Sequence, residues 1–307
     1  MNESEHQARV VECFGRRVIV EIATHERIAA EMFGKRLACV CGDEVRIRSS
    51  KDLGDVPRVV EVLPRRSLFA RTDSRGRTEP LAANLSLLAV IIAPEPEPDP
   101  FITDRYLAGA AFANIASLVI VNKAELQSAS SERFGSIVDE YRHAGFDVFA
   151  LSAKDNSTVE PLREMLRDKA TMLVGQSGVG KSTLTNQLAP ASARATRELS
   201  DSSREGRHTT VSTALFRMPH GGELIDSPGV RDYAPPLLED ATIQFGWPEI
   251  LKLAPQCRFN NCLHLREPGC AVIDAVSTKQ ISPRRYESYK RLMNIMRGLA
   301  PEYERRR

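Results

Sequence analysis

The stretch that decides the fold is Gly175-Gln176-Ser177-Gly178-Val179-Gly180-Lys181-Ser182, which matches the pattern G-x-x-x-x-G-K-[ST] at every fixed position. The apolar run MLV at 172–174 predicts a buried strand before it, and STLTNQL at 182–188 predicts a helix after it. Glycine lets backbone N–H groups turn towards phosphate oxygens, and the helix N-terminus adds a positive dipole end. The sequence therefore predicts a phosphate-binding loop rather than a Gly-rich turn that matches by chance.

Individual side chains around this loop have predicted roles. Lys181 is expected to reach the β- and γ-phosphates of a nucleotide, and Ser182, paired with Thr183 at the start of the helix, to offer a hydroxyl to Mg²⁺. Asp226 follows the run GGELI, and Gly229 comes three residues later, which fits a second Mg²⁺ contact and an amide that senses the γ-phosphate. D-x-P-G alone is a common turn, but after a phosphate loop it supports the same site.

A polar stretch, SARATRELSDSSREGRHTTVSTALF, lies between the loop helix and Asp226. Long connections of this kind are usually functional or disordered. Thr209 or Thr210 could complete the Mg²⁺ coordination when a γ-phosphate is present, so this segment is predicted to be a switch that orders with the nucleotide state.

Two short elements predict recognition of guanine. Asn122-Lys123-Ala124-Glu125 ends the strand SLVIV, and Ser152-Ala153-Lys154 ends the strand FDVFAL. Ligands of open α/β sheets bind at such carboxyl ends. In GTPases an N-K-x-D carboxylate accepts the N1–H and N2–H₂ donors of guanine, and an S-A-K backbone faces its O6. N-K-x-E alone is a weak match, but with Ser152–Lys154 and a phosphate loop in the same chain it predicts guanine.

The order of these elements is unusual. The base elements precede the phosphate loop, the switch segment and Asp226–Gly229, whereas ordinary GTPases begin with the phosphate loop. The sequence therefore predicts a circularly permuted G domain, in which Gly229 leads directly into the C-terminal part of the chain.

The N-terminal part has a different pattern of apolar and polar residues. Residues 8–73 contain short β-branched and apolar runs separated by turn signals, which predicts a small closed barrel; an OB-fold is one candidate and a generic spacer barrel the other. Segment 58–77 carries six Arg against one Glu and one Asp, which suits RNA but also a solvated loop. From residue 84, apolar strands alternate with helices, which is typical of a parallel α/β sheet.

A cysteine-histidine cluster follows in the C-terminal part. Cys257, Cys262, His264 and Cys270 offer three thiolates and one imidazole, which suits a tetrahedral, structural Zn²⁺ site. The alternative is free buried thiols beside a chance histidine. The other cysteines, Cys13, Cys39 and Cys41, have no histidine nearby and are predicted to be core residues.

The order of elements resembles the circularly permuted GTPases. The flanking barrel and the Cys/His module make the chain similar to the small-ribosomal-subunit biogenesis GTPase family (RsgA, also called YjeQ). The motifs that carry the resemblance are LPRRSLFAR (63–71), AAN (82–84), DRYL (104–107), NKAEL (122–126), SAK (152–154), GQSGVGKSTL (175–184), GRHTT (206–210), IDSPGVRDY (225–233) and C-x4-C-x-H-x5-CAV (257–272).

The resemblance implies an OB barrel, a permuted G domain, a zinc-binding domain and a role in late maturation of the small ribosomal subunit, which stimulates GTP hydrolysis. It also points to His208 in the switch as the residue that orients the attacking water; the alternative is that His208 only anchors the switch. Val230 stands where many GTPases have Gln, so intrinsic turnover should be slow. A ribosomal group, or more weakly Arg204 or Arg207, could supply further charge. Glu125 departs from the usual Asp.

The predicted architecture is multidomain: an OB-like β-barrel at 1–80 that binds RNA, an α/β circularly permuted P-loop G domain at 81–235, and a small α-rich zinc-binding domain at 236–307.

Expected ligands are GTP or GDP, Mg²⁺ and one Zn²⁺, and the expected partner is the small ribosomal subunit with its rRNA. The net charge of +2 indicates no particular partner. The longest apolar run, 85–93, has only nine residues and contains Ser86, and the N-terminus has no apolar core of a secretory signal, so a cytoplasmic protein without membrane contact is expected. A monomer is the expected oligomeric state. Alternatives are a P-loop ATPase or kinase with accessory nucleic-acid-binding domains, and a non-catalytic nucleotide-sensing RNA-binding module.

Overall fold

The first five strands close into a barrel. The computed structural model describes residues 4–34, 37–49, 56–73, 75–129, 132–190, 213–226 and 233–299. The barrel strands are β1 (Ser4–Phe14), β2 (Arg17–Ile22), β3 (Arg27–Met32), β4 (Glu44–Ser49) and β5 (Arg58–Val62). They pair in the order β1-β2-β3-β5-β4 and back to β1, and the β3–β5 pair is parallel. Alternating apolar residues fill the interior, among them Val10, Val20, Val45, Ile47 and Val59. The predicted OB-like barrel is confirmed.

A hairpin lies between the barrel and the larger sheet in the sequence. It consists of β6 (Leu68–Thr72) and β7 (Thr78–Ala83). Phe69 stacks on Tyr233 with ring centroids 4.9 Å apart, and the Thr72 hydroxyl donates to the Pro235 carbonyl over 2.7 Å. The hairpin therefore packs on the chain segment that leaves the G domain. The predicted boundary near residue 80 stays a prediction.

A mixed sheet forms the centre of the molecule. Its strands are β8 (Leu87–Ile92), β9 (Ala116–Val121), β10 (Asp147–Ala150), β11 (Ala170–Gly175), β12 (Ala214–Arg217) and β13 (Glu223–Asp226). They lie in the order β10-β9-β8-β11-β13-β12, and only the β12–β13 pair among them is antiparallel. Every residue of β8 is buried, as expected for a strand covered on both faces.

Helices cover both faces of this sheet. They are α1 (Pro100–Phe112), α2 (Glu132–His143), α3 (Asn156–Leu166) and α4 (Lys181–Leu188), with a 3₁₀ segment at Ala124–Ala129. The carboxylates of Asp99 and Asp155 cap α1 and α3 by accepting from backbone N–H groups in the first turn. One apolar cluster joins α1 and α2 to the sheet, and another joins α3 and α4 to its other face. The predicted α/β class is confirmed.

The barrel and the central sheet are continuous. β1 pairs with β12 at Glu12 and Ala214, so the described strands of both units form one eleven-stranded sheet. The Arg9 guanidinium also contacts the Glu223 carboxylate at 2.6 Å across this junction. The barrel is therefore attached beside the strand that pairs with β13.

Most of the basic charge in segment 58–77 is locally neutralised. Arg65 pairs with the buried Asp43 at 2.7 Å, and Arg77 pairs with Asp73 at 2.7 Å. Arg71 pairs with Glu79, also at 2.7 Å, and Arg66 pairs with Glu44 at 3.0 Å. The composition of this segment alone therefore overstates its positive potential.

The C-terminal part is helical. It contains α5 (Asp240–Ile243), α6 (Pro248–Leu253), α7 (Ala271–Ser277) and α8 (Pro283–Leu299), with 3₁₀ segments at Gln244–Gly246 and Ala254–Gln256. Tyr289, Met293 and Met296 of α8 are buried in one apolar cluster with Trp247 and Ile250. Within the described ranges, no helix has the length and apolar character needed to cross a bilayer.

A buried ion network fastens α8 to the G domain. The Asp104 carboxylate of α1 accepts from Arg284 over 2.8 Å and from Arg285 over 2.7 Å. Arg285 also contacts the Glu249 carboxylate of α6. Arg285 and Asp104 are each 1% exposed, so removing either partner would leave an unpaired buried charge.

Candidate nucleotide site and metal centre

The phosphate loop lies between β11 and α4 and depends on its glycines. Gly175, Gly178 and Gly180 have φ values of 143°, 84° and 94°, which L side chains rarely adopt. A Cβ at Gly175 would overlap the Ile91 carbonyl, and one at Gly180 would overlap the Asn122 amide. The loop can pack this closely against β8 and β9 only without side chains at those positions.

Lys181 curls back over the loop. Its Nζ donates to the carbonyls of Gly175 and Gln176, each over 2.7 Å. Asp226 ends the neighbouring strand β13; burial raises the pKa of its carboxyl, and the positive charge of Lys181 partly opposes that rise. A cation and a carboxylate thus face each other at the edge where the loop begins.

The first turn of α4 presents hydroxyls to solvent. Ser182 and Thr183 are both exposed there, one and two residues after Lys181. Asp226 lies at the carboxyl end of β13, which runs parallel to β11. The predicted Mg²⁺ ligands Ser182 and Asp226 therefore belong to the same edge of the sheet.

Asn122 joins the base elements to the phosphate loop. Its Nδ2 donates to the Val179 carbonyl over 2.8 Å, and its Oδ1 accepts from the Ala153 N–H over 2.9 Å. The side chain is buried, so both bonds are shielded from water. Three segments that are far apart in the sequence meet at this one amide.

Glu125 offers an ionised carboxylate beside them. A hydrogen bond from the Ser152 side chain is the main cause that lowers the pKa of Glu125, and the charges of Lys154 and Lys123 act in the same direction. The Glu125 side chain is 38% exposed, and its Oε1 lies 3.9 Å from the Lys154 Nζ. The carboxylate is therefore available as an acceptor for the N–H donors of a base.

Some predicted site residues lie outside the described ranges. His208, Thr209, Thr210 and Gly229 belong to this group, as does Val230. Their roles stay predictions.

The proline-rich segment 93–100 also borders the site, which sequence reasoning missed. The Lys123 Nζ donates to the Glu95 carbonyl over 2.7 Å, and the Gln176 side chain accepts from the Asp99 N–H over 3.0 Å. Lys123 has φ 60°, so its backbone turns sharply at the end of β9. No local pattern marks these contacts, because they join the base element and the phosphate loop to a distant connection.

The four predicted metal ligands converge. Cys257, Cys262, His264 and Cys270 place their ligand atoms within 4.8 Å of one another. The Cys257 and Cys270 sulfurs are 3.8 Å apart, and the His264 Nδ1 is 3.5 Å from the former and 3.4 Å from the latter. Tetrahedral zinc would require separations of about 3.8 Å between sulfurs and about 3.6 Å between sulfur and nitrogen. The cluster could hold a metal ion of this kind.

Supporting contacts orient the histidine. Its Nε2 is 3.1 Å from the Gln244 Oε1, and its carbonyl accepts from the Tyr286 hydroxyl over 2.6 Å. A ligand histidine usually needs such a partner on its second nitrogen. Gln244 carries no sequence signal, because it lies twenty residues before His264, in the 3₁₀ segment Gln244–Gly246. Cys39 and Cys41 are buried in the N-terminal part, as predicted, and Cys13 is half-buried there.

The Asn122 side chain links the phosphate loop to the N-K-x-E and S-A-K elements at the carboxyl edge of the mostly parallel sheet. The base elements precede the phosphate loop in the chain. This combination defines a circularly permuted P-loop GTPase. The family model described as RsgA GTPase matches residues 62–235. The chain therefore belongs to the RsgA GTPase family and is a GTP hydrolase, so nucleotide and Mg²⁺ are its expected ligands.

Similar proteins agree over nearly the whole chain. The small ribosomal subunit biogenesis GTPase RsgA of Pseudomonas aeruginosa is 36% identical, covering 95% of this chain and 86% of its own length. The small ribosomal subunit biogenesis GTPase RsgA of Azotobacter vinelandii is also 36% identical, covering 97% of this chain and 88% of its own length. YjeQ from Thermotoga maritima superposes with a TM-score of 0.74 at 26% identity, covering 95% of this chain and 99% of that structure. YloQ, described as a circularly permuted GTPase, superposes with a TM-score of 0.73 at 23% identity over 98% of both chains, which supports the fold.

Proposed function

We propose that the protein hydrolyses GTP while bound to the small ribosomal subunit during its maturation, and that the subunit accelerates the reaction. The observation that carries the GTPase site is the Asn122 amide, which holds the base element, the Ala153 backbone and the phosphate loop together. The partner follows from relatives named as small ribosomal subunit biogenesis GTPases that match nearly the whole chain.

The base would be held by Asn122, Lys123, Glu125 and residues 152–154. The Glu125 carboxylate would accept the two N–H donors on the Watson–Crick edge of guanine, and its low pKa keeps it charged for that task. Adenine presents no such pair of donors at that edge. Guanine selectivity is therefore assigned to Glu125, with a glutamate performing the task usual for an aspartate.

Residues 175–183 would hold the phosphates. Backbone N–H groups of the loop and the Lys181 ammonium would face the β- and γ-phosphates, replacing the two loop carbonyls that Lys181 now contacts. Ser182 and Asp226 would hold Mg²⁺, which neutralises charge on the phosphate oxygens. We assign Thr209 or Thr210 to the same ion, the Gly229 N–H to the γ-phosphate and His208 to the attacking water.

Hydrolysis is the attack of this water on the γ-phosphate. A valine side chain at position 230 has no group that could orient water, so the isolated protein should turn over slowly. A group supplied by the ribosome would then complete the site, since such groups can accelerate phosphoryl transfer by about 10³–10⁵.

The Cys/His cluster is assigned one structural zinc ion. All four ligand positions come from the protein, which leaves no open position for a substrate. We further propose the units 1–80, 81–235 and 236–307 as RNA-binding barrel, GTPase domain and zinc-binding domain, in a cytoplasmic monomer.

Steady-state phosphate release tests the proposed function. We expect slow hydrolysis of GTP, acceleration by at least about tenfold on addition of purified small ribosomal subunits, and no use of ATP. Large ribosomal subunits at the same concentration are the control. Absence of acceleration by the small subunit would contradict the assigned partner, and equal use of ATP would contradict the assigned base.

A further inference from the structure

A cleft lies at the edge of the sheet opposite the phosphate loop. It has a volume of about 730 Å³ and lies where the barrel meets the central sheet. Its wall includes Ala170 and Glu223, which are the first residues of β11 and β13. Gly175 and Asp226, in the nucleotide site, are the last residues of the same two strands. Along β11, five residue steps from Ala170 to Gly175 separate the two edges by roughly 16 Å. The cleft therefore contains none of the residues assigned to the nucleotide.

Two motifs with no role in the nucleotide site build one wall of this cleft. The Arg66 N–H donates to the Asn84 Oδ1 over 2.8 Å, and the Asn84 Nδ2 donates to the Gly42 carbonyl over 2.9 Å. The Ser67 hydroxyl donates to the Leu85 carbonyl over 2.7 Å. Hydrogen bonds thus fix the motifs LPRRSLFAR and AAN to each other and to the barrel, so the wall is built before any ligand arrives.

Two donors in the cleft have no acceptor within the described part of the chain. The Lys169 ammonium is half-buried and has no ion pair or hydrogen bond among the residues that the structure describes. The Arg9 Nε is buried and also has no partner there, although the other two nitrogens of that guanidinium contact Glu44 and Glu223. A buried donor such as the Arg9 Nε is normally satisfied. The Lys169 ammonium is only half-buried and lines the cleft, so a ligand that brings acceptor oxygens can reach it.

The charges of the cleft favour an anion at Lys169. Arg9 holds Glu44 and Glu223, two of the three carboxylates in the wall. The third, Asp168, is exposed and forms no ion pair with Lys169 in the described structure. Among the cleft residues that the structure describes, Lys169 is therefore a cation without an ion pair. Arg66 lies at the rim, where it contacts the Glu44 carboxylate at 3.0 Å, and its side chain is 68% exposed, so a ligand in the cleft can reach it.

We propose that this cleft binds the phosphate backbone of RNA, with Lys169 as its main phosphate contact and Arg66 at the rim. The volume far exceeds that of one phosphate ion and suits a short stretch of nucleotides. RNA helices and loops are recognised largely through phosphates and 2′-hydroxyls, and the cleft also carries the polar side chains of Ser86 and Asn114. The proposal rests on the proposed function, which supplies ribosomal RNA as the partner.

The salt dependence of binding to purified small ribosomal subunits tests this contact. Each phosphate contact contributes about 0.7–0.9 to the slope of log K against log salt concentration. Lys169→Ala should reduce the slope by that amount and weaken binding about five- to eightfold at 0.1 M salt. Lys169→Gln, which keeps the chain length and removes the charge, should do the same, and Lys169→Arg should restore most of the loss.

Lys252→Ala is the matched control, because Lys252 is an exposed lysine of α6 far from the cleft in sequence. An unchanged slope in both Lys169→Ala and Lys169→Gln would overturn the proposal, as would an equal loss in Lys252→Ala. Basal GTP hydrolysis should be unchanged in the Lys169 variants. Acceleration of the wild-type protein by the subunit, measured in parallel, reports on the proposed function separately.

A calorimetric titration of inorganic phosphate into the GDP- and Mg²⁺-loaded protein distinguishes a free anion from RNA. The loaded nucleotide keeps phosphate out of the phosphate loop. We expect no binding at millimolar phosphate in either the wild type or Lys169→Ala. Binding that is lost in Lys169→Ala, with subunit affinity unchanged, would overturn RNA as the ligand and reassign the cleft to a free anion.

Discussion

Replacing Lys181 by alanine should reduce the rate of GTP hydrolysis by about 10²–10³-fold or more, because the change removes a positive charge that faces the transferring phosphate. In the structure the Lys181 ammonium already lies over the loop, bonded to the carbonyls of Gly175 and Gln176. Nucleotide binding therefore has to move the Lys181 ammonium only from these carbonyls to the phosphates, and not from solvent into the loop. Single-turnover hydrolysis at saturating GTP, with and without the small subunit, measures the effect.

Lys252→Ala is again the control for that experiment, and the melting temperature of each variant shows that it is folded. Lys181→Ala should lose the subunit-stimulated rate as well as the basal rate, because no ribosomal group can replace a charge inside the loop. Hydrolysis at the wild-type rate in Lys181→Ala would mean that the reaction occurs elsewhere in the chain.

Replacing Cys257 by alanine should abolish zinc binding and unfold the C-terminal helical part. Structural zinc contributes about 10–16 kcal/mol in zinc-finger peptides, more than the whole stability of many domains. Cys257 is half-buried, so the substitution itself removes little packing. Metal content by plasma spectrometry and backbone hydrogen exchange over residues 236–299 measure the two consequences.

Cys13→Ala removes a half-buried cysteine from the N-terminal barrel and is the matched control. It should leave both metal content and hydrogen exchange unchanged. If Cys257→Ala kept a full complement of zinc, the ligand set would be wrong. If it lost zinc but kept its exchange protection, the metal would not be structural.

Sequence patterns predicted the features of this molecule that depend on residues close together in the chain. The loop at 175–182 could be recognised because phosphate binding needs glycines, a lysine and a helix start at fixed spacing, and Gly175 and Gly180 indeed adopt positive φ angles. The Cys/His spacing predicted a cluster that the fold assembles. Alternating apolar residues predicted the barrel, since its interior accepts every second side chain.

Contacts between distant segments could not be predicted in this way. Arg65 and Arg71 contribute to a basic run in the sequence, but their partners Asp43 and Glu79 lie outside that run or across a hairpin. The pairing of β1 with β12 joins residues about two hundred positions apart, and no period in either strand specifies it. Such partners are selected by packing of the whole chain, so only the structure reveals them.

We propose one guanine-nucleotide site formed by Glu125, Asn122 and the phosphate loop, although the order of these elements in the chain is permuted. Displacement of a fluorescent GDP analogue by GDP, XDP and ADP, in the wild type and in Glu125→Gln, tests it most directly. Xanthine carries a carbonyl where guanine carries its N2 amino group, so an amide at position 125 can donate to it. We predict that the wild type prefers GDP to XDP and ignores ADP, and that Glu125→Gln loses affinity for GDP by about tenfold or more and gains affinity for XDP. The same preference for GDP in both proteins would show that Glu125 does not read the base and would contradict the site.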